Sequence, residues 1–232
     1  MAKFPLMPLL AFGASGALIV AATLTVSAQT PVTAPPPKAP APETSAKSET
    51  IVLAGGCFWG VQAVFQHVEG VERAVSGYAG GTVANPSYRQ VSSGTTGHAE
   101  SVEVTFDPRK VGLGDILRIY FSVALDPTQV DRQGPDEGTQ YRSEIFVADA
   151  AEAKFARDYI GELDAAKLYR EPIATKVETL AAFYPAESYH QNYATEHPAE
   201  PYIAYNDTPK VDALKRLFPE RYRDKPRLVA AE

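Results

Sequence analysis

Ile51-Val52-Leu53-Ala54-Gly55-Gly56-Cys57-Phe58-Trp59-Gly60-Val61-Gln62-Ala63-Val64-Phe65 changes hydrophobic period part-way along. The first four residues are a continuous apolar run, read as a buried strand. Two glycines allow a tight turn, and Phe58, Val61, Val64, Phe65 and Val68 then recur at helical spacing. This strand–turn–helix unit places Cys57 on the first turn of a helix, where free N–H groups and the helix dipole favour negative charge. A thiol so placed can be acidified from about 8.5 into roughly 3.5–7.5 and become a nucleophile. A lone cysteine can equally be a small packed hydrophobe.

Working outward, Val71–Tyr78 reads as a second strand and 100–106, which alternates, as a third. Asp115–Leu125 has helical periodicity, 143–148 reads as a fourth strand and 150–168 as a further helix. The order βα-β-β-α-β is the split βαβ pattern, so the expected fold is α+β: a two-layer ferredoxin-like core with an extra helix and long wrapping loops. Thr175–Thr179 is a candidate edge strand, the Pro- and Tyr-rich chain from Phe183 on is expected as loop, and Lys210–Phe218 as a short closing helix.

Residues 1–28 are expected to be a secretory signal peptide, or an uncleaved N-terminal anchor, with small residues Val26-Ser27-Ala28 at the cleavage point. Export, to a periplasm-like compartment, is the expected localisation, with membrane association only if the segment is retained. Residues 29–48, rich in Pro and Ala, read as an extended linker that builds no core. The remaining 49–232 is long enough for one catalytic domain, expected as a monomer. A net charge of −6 argues against nucleic acid as partner. An exported chain with one cysteine has no internal disulfide, and keeping an exposed thiol in an oxidising compartment suggests use.

Glu100 shares strand phase with Val102, Val104 and Phe106, so it lies on the apolar face or at its mouth. Burial would keep its carboxyl protonated and fit it as a general acid; a strand-end glutamate reaching water fits the same pattern. Tyr88 and Tyr141 lie in turn-rich stretches, where a phenol can donate to a ligand oxygen or simply wet its tip. His98 or His190 could partner Cys57 in a hydrolase or transferase, and a non-catalytic redox-sensing or binding module is a third class. No histidine has metal-ligand spacing, and no glycine run matches a phosphate or dinucleotide fingerprint, so neither metal nor organic cofactor is expected.

The motif Gly55-Gly56-Cys57-Phe58-Trp59-Gly60 resembles the signature of the peptide methionine sulfoxide reductase A family. The resemblance continues in order through Gly77-Tyr78-Ala79-Gly80-Gly81, Asn85-Pro86-Ser87-Tyr88-Arg89, Gly97-His98-Ala99-Glu100, Gly138-Thr139-Gln140-Tyr141-Arg142-Ser143 and Ala186-Glu187-Ser188-Tyr189-His190-Gln191. It implies a cofactor-free enzyme that reduces methionine-S-sulfoxide, in proteins and as the free amino acid. Cys57 would attack sulfur and become a sulfenic acid. Glu100 would protonate the oxygen, Tyr88, Tyr141 and Asp136 would hold the polar end, and Phe58 and Trp59 would hold the methyl group. Many relatives carry resolving cysteines near the C-terminus, reduced by thioredoxin. Here that tail reads His197-Pro198-Ala199-Glu200-Pro201-Tyr202-Ile203, so regeneration needs a thiol from another molecule.

Overall fold

The computed structural model describes residues 31–230. The signal or anchor assigned to residues 1–28 lies outside them. Strands β1 (Glu49–Gly55), β2 (Val71–Ala79), β3 (Ala99–Phe106), β4 (Arg132–Gln133), β5 (Asp136–Glu137), β6 (Ser143–Val147), β7 (Lys176–Thr179) and β8 (Phe183–Pro185) alternate with helices. These are α1 (Phe58–Gln66), α2 (Tyr88–Ser92), α3 (Leu113–Ile119), α4 (Ala150–Ala165), α5 (Tyr193–Glu196) and α6 (Thr208–Leu217). The main sheet runs β7-β6-β1-β3-β2-β8, and β4 and β5 form a separate hairpin.

Within the main sheet, β3 is inserted antiparallel between β1 and β2, and β6 flanks β1 antiparallel. This is the expected split βαβ order. Ile51, Leu53, Val102, Val104, Phe106, Ile145 and Val147 face one core, against Phe58, Val61, Phe65, Ile116, Leu117, Phe155, Tyr159 and Leu214 from the helices. Val52, Ala54, Ala79, Ala99 and Phe146 form a smaller cluster of their own.

Three expectations change. The helix read over Asp115–Leu125 ends at Ile119 and continues as a π-helical turn, Tyr120–Ala124. The chain from Phe183 is not all loop, because β8 extends the sheet beyond β2, with Tyr184 opposite Tyr78. Three residues are too few for a period-2 signal. The Pro-rich stretch is also not a free tether. Ala34 is 0 % exposed; its N–H donates to Ser122 Oγ at 2.9 Å and its carbonyl accepts from Arg118 Nε at 2.7 Å. The Tyr159 hydroxyl donates to the Pro35 carbonyl. Proline has no N–H to satisfy and enters with φ already fixed, so an extended Pro-rich strap can dock through Ala34 at low entropic cost while its prolines stay at the surface. Among the described residues no helix is long and apolar enough to cross a membrane.

Candidate active site

The turn between β1 and α1 sets the site. Gly56 has φ +89°, and a Cβ there would lie 2.4 Å from Gln133 Cβ, so both conformation and space require glycine. Cys57 is the N-cap of α1 rather than a residue of its first turn, and it is 8 % exposed. Glu100 arrives from β3, opposite Tyr78 on β2, and is 2 % exposed. Its Oε2 accepts the Phe58 N–H at 3.0 Å. The first free donor of α1 is therefore spent on the carboxyl group of Glu100, immediately beside Cys57.

This partition decides the electrostatics. Burial lifts Glu100 from its ordinary 4.5 to about 8, despite the Phe58 N–H, with Asp136 and Asp207 adding to the rise. Cys57 is not acidified in the resting site, contrary to the sequence expectation. Burial pushes its thiol well above the ordinary range, Glu100 and Asp207 add to this, and the Trp59 N–H and Lys210 offset only part of it. The helix terminus acts as expected, but desolvation outweighs it.

The other expected side chains converge here. Tyr88 opens α2, and its N–H donates to Glu187 Oε1 at 2.9 Å, while the Tyr78 hydroxyl donates to Glu187 Oε2. One carboxylate thus ties β2 to the start of α2. Tyr141 ends the 3-10 turn Thr139–Tyr141. Burial chiefly raises both phenols, with the Glu100 carboxyl adding to the rise when ionised, so each remains a proton-bearing donor. Asp136, on β5, accepts a hydrogen bond from the Tyr202 hydroxyl, and burial raises its carboxyl.

Phe58 and Trp59 stand side by side, with ring centroids 6.5 Å apart. Trp59 stacks on Tyr193 at 4.0 Å, and its Nε1–H donates to His190 Nδ1 at 3.2 Å. The His190 ring also lies 5.0 Å from Phe58 and 4.4 Å from Tyr88. His190 is thus an acceptor and packing element of an aromatic wall, and burial lowers its pKa. His98 is engaged by the Gly81 N–H and the Val83 carbonyl. Among the described residues neither histidine hydrogen-bonds to Cys57, and none form a cluster able to hold a metal ion.

Sequence reasoning missed Glu187, Tyr202, Asp207 and Lys210. The stretch Asn206-Asp207-Thr208-Pro209-Lys210 reads as a helix start, Asp before Pro. Asp207 is indeed the N-cap of α6, yet its side chain makes no capping bond. It accepts from Lys210 Nζ at 3.3 Å, and both groups lie against Gly60, where a Cβ would meet Asp207 Oδ1 at 2.1 Å.

A model of the family "Peptide methionine sulfoxide reductase" matches residues 49–222. The chain belongs to the peptide methionine sulfoxide reductase family. It is 59 % identical over 182 residues to "Peptide methionine sulfoxide reductase MsrA 2" of Mesorhizobium japonicum, covering 78 % of this chain and 93 % of the relative. The protein of the same name from Synechocystis is 46 % identical over 186 residues, covering 80 % and 85 %. Methionine sulfoxide reductase A of Corynebacterium diphtheriae is a structural neighbour with TM-score 0.58 and 40 % identity, over 66 % of this chain and 76 % of that one. Mxr1 of Saccharomyces cerevisiae in reduced form gives TM-score 0.60 and 33 % identity, over 67 % and 88 %.

Proposed function

We propose that this protein is a peptide-methionine (S)-S-oxide reductase that uses an external thiol to return methionine-S-sulfoxide to methionine. The observation that carries the chemistry is the adjacency of Cys57 to a carboxyl group titrating at about 8 and joined to the Phe58 N–H. Sulfoxide oxygen leaves only once protonated, and a neutral buried acid beside a sulfur nucleophile meets that requirement.

In the proposed cycle the substrate methyl group rests against Phe58 and Trp59, and its oxygen accepts from Glu100, Tyr88 and Tyr141. Asp136, bound to Tyr202, shapes the polar end. The Cys57 sulfur attacks the substrate sulfur as the Glu100 proton passes to oxygen. The thiol proton replaces the one Glu100 gave up. The hydroxyl then passes from the substrate sulfur to the Cys57 sulfur as the S–O bond and the newly formed S–S bond both break, which releases methionine and leaves Cys57–S–OH. The raised pKa of the resting thiol fits a nucleophile that loses its proton only when the polarised sulfoxide arrives. Fixing methyl, oxygen and sulfur at separate points gives selectivity for one epimer.

Regeneration uses thiol from another molecule, thioredoxin or a small thiol, because Cys57 is the only cysteine. We read residues 1–28 as an export signal or anchor and the site as periplasmic, acting on oxidised exported proteins as a monomer; fractionation of cells carrying the full chain tests the location.

Methionine release is measured from each epimer of a sulfoxide substrate with excess dithiol. Turnover of the S epimer alone, abolished by Cys57→Ser, is expected. Multiple turnover by the serine variant would refute the reading, and acylation of Cys57 by an activated ester, lost in a His190 variant, would favour a hydrolase instead.

A further inference from the structure

Lys210 lies against Gly60, on the first turn of the helix that Cys57 caps, and its charge reaches the Cys57 thiol. Burial of Asp207 is nearly complete, at 1 % exposure, while Lys210 keeps 18 % of its side chain in solvent. Asp207 Oδ1 accepts from Lys210, but the buried Oδ2 has no protein partner. A buried acceptor without a donor is costly, and such atoms persist where they serve a site. Both residues sit where the π-helical turn Ile203–Asp207 runs into α6, and π turns recur at functional sites. Gly60, on the first turn of α1, leaves room for both groups.

The surrounding charges are one-sided. Cys57 is faced by Glu100 from β3 and Asp207 from the π turn, with the Trp59 N–H on α1 and Lys210 on α6 as the opposing influences. Asp136 on β5 and the hydroxyls of Tyr88, Tyr141 and Tyr202 complete the ring. Among the described residues, Lys210 is the cation that acts on Cys57, Asp136 and Asp207 alike. The species that reduces a sulfenic acid is a thiolate. With Glu100 protonated, Asp136 and Asp207 are the carboxyl groups that an approaching anion meets, and Lys210 is the cation placed to offset them.

We propose that Lys210, held in place by Asp207, receives the external thiolate that regenerates Cys57, and is thus a positioning residue for the second half of the cycle. The inference rests on the reductase reading above. The incoming sulfur forms an S–S bond to Cys57 as the S–O bond breaks. The hydroxyl leaves as water with the proton of Glu100, and the proton the thiol lost replaces it. A second equivalent of the same thiol then attacks the mixed disulfide, giving its own disulfide and free Cys57.

The two half-reactions separate in time. Without thiol, wild type forms about one methionine per Cys57 and stops; thiol is then added and loss of the sulfenic acid is followed. In Lys210→Met, regeneration is expected to fall about tenfold relative to methionine formation, a change of the size expected for one partly screened charge. The loss should be greater with anionic 3-mercaptopropionate than with cationic cysteamine. Lys210→Arg should recover most of it, and Asp207→Asn, which leaves Lys210 unanchored, should show a smaller loss of the same pattern. Equal decline of both half-reactions, or a loss independent of thiol charge, would overturn the proposal. Absence of any methionine burst in wild type would instead overturn the reductase reading itself.

Discussion

Glu100→Gln tests the acid through two independent signals. Raising the carboxyl from 4.5 to about 8 corresponds to about 5 kcal/mol of preference for the neutral form in the folded site. Between these two pH values the unfolded chain has lost the proton and the folded chain has kept it. Wild-type stability should therefore fall with rising pH across that window, by at most about 1.4 kcal/mol per pH unit, and level off above about 8. Glutamine does not titrate, and its carbonyl oxygen can still accept the Phe58 N–H. The stability of the variant relative to wild type should thus grow from pH 5 to pH 8. Urea unfolding at successive pH values measures this directly. The same substitution removes the proposed proton donor, so the methionine burst should slow by about 10²–10⁴-fold. The wild-type burst rate should fall as pH rises through about 8, and the residual rate of the variant should lack that limb. A pH-independent stability difference, or a burst within threefold of wild type, would refute the claim that a neutral buried acid drives oxygen departure.

Tyr88→Phe and Tyr141→Phe should each slow the burst by about tenfold, and the double variant by more than either, read as single-turnover rates. Trp59→Ala removes the ring stacked on Tyr193 and the donor to His190, so it should raise KM for a sulfoxide substrate more than it lowers kcat. Ala34→Asp places a carboxylate in a fully buried position and should destabilise the domain by roughly 2 kcal/mol or more in thermal unfolding, whereas a free tether would tolerate it. Gly60→Ala would press a methyl group onto Asp207 and should slow regeneration without loss of α1 helicity by circular dichroism.

Much of the site is local in sequence and was readable there. The turn from β1 into α1 fixes Cys57, Phe58 and Trp59 together, and the alternation of β3 places Glu100 on the apolar face. Period-2 and period-3.6 patterns also gave the strand and helix order, since each long element must bury one face. Short elements carry no such signal, so β8 and the β4–β5 hairpin were invisible. Turn-rich context marks Tyr88 and Tyr141 as candidates, but only the family resemblance assigns them and Asp136 to one site, because they lie on separate short elements that no periodicity connects.

What the sequence determined by itself is which groups are available: one thiol, one carboxyl in an apolar phase, two adjoining aromatic rings. Tertiary structure decided their protonation and their neighbours. Cys57 at a helix start suggests an acidic thiol, yet burial and the approach of Glu100 and Asp207 push it the other way. Desolvation depends on every atom that excludes water, and those atoms come from distant segments. For the same reason the Asp207–Lys210 pair, about 150 residues downstream of Cys57, reads as an ordinary helix start until the fold lays it against Gly60.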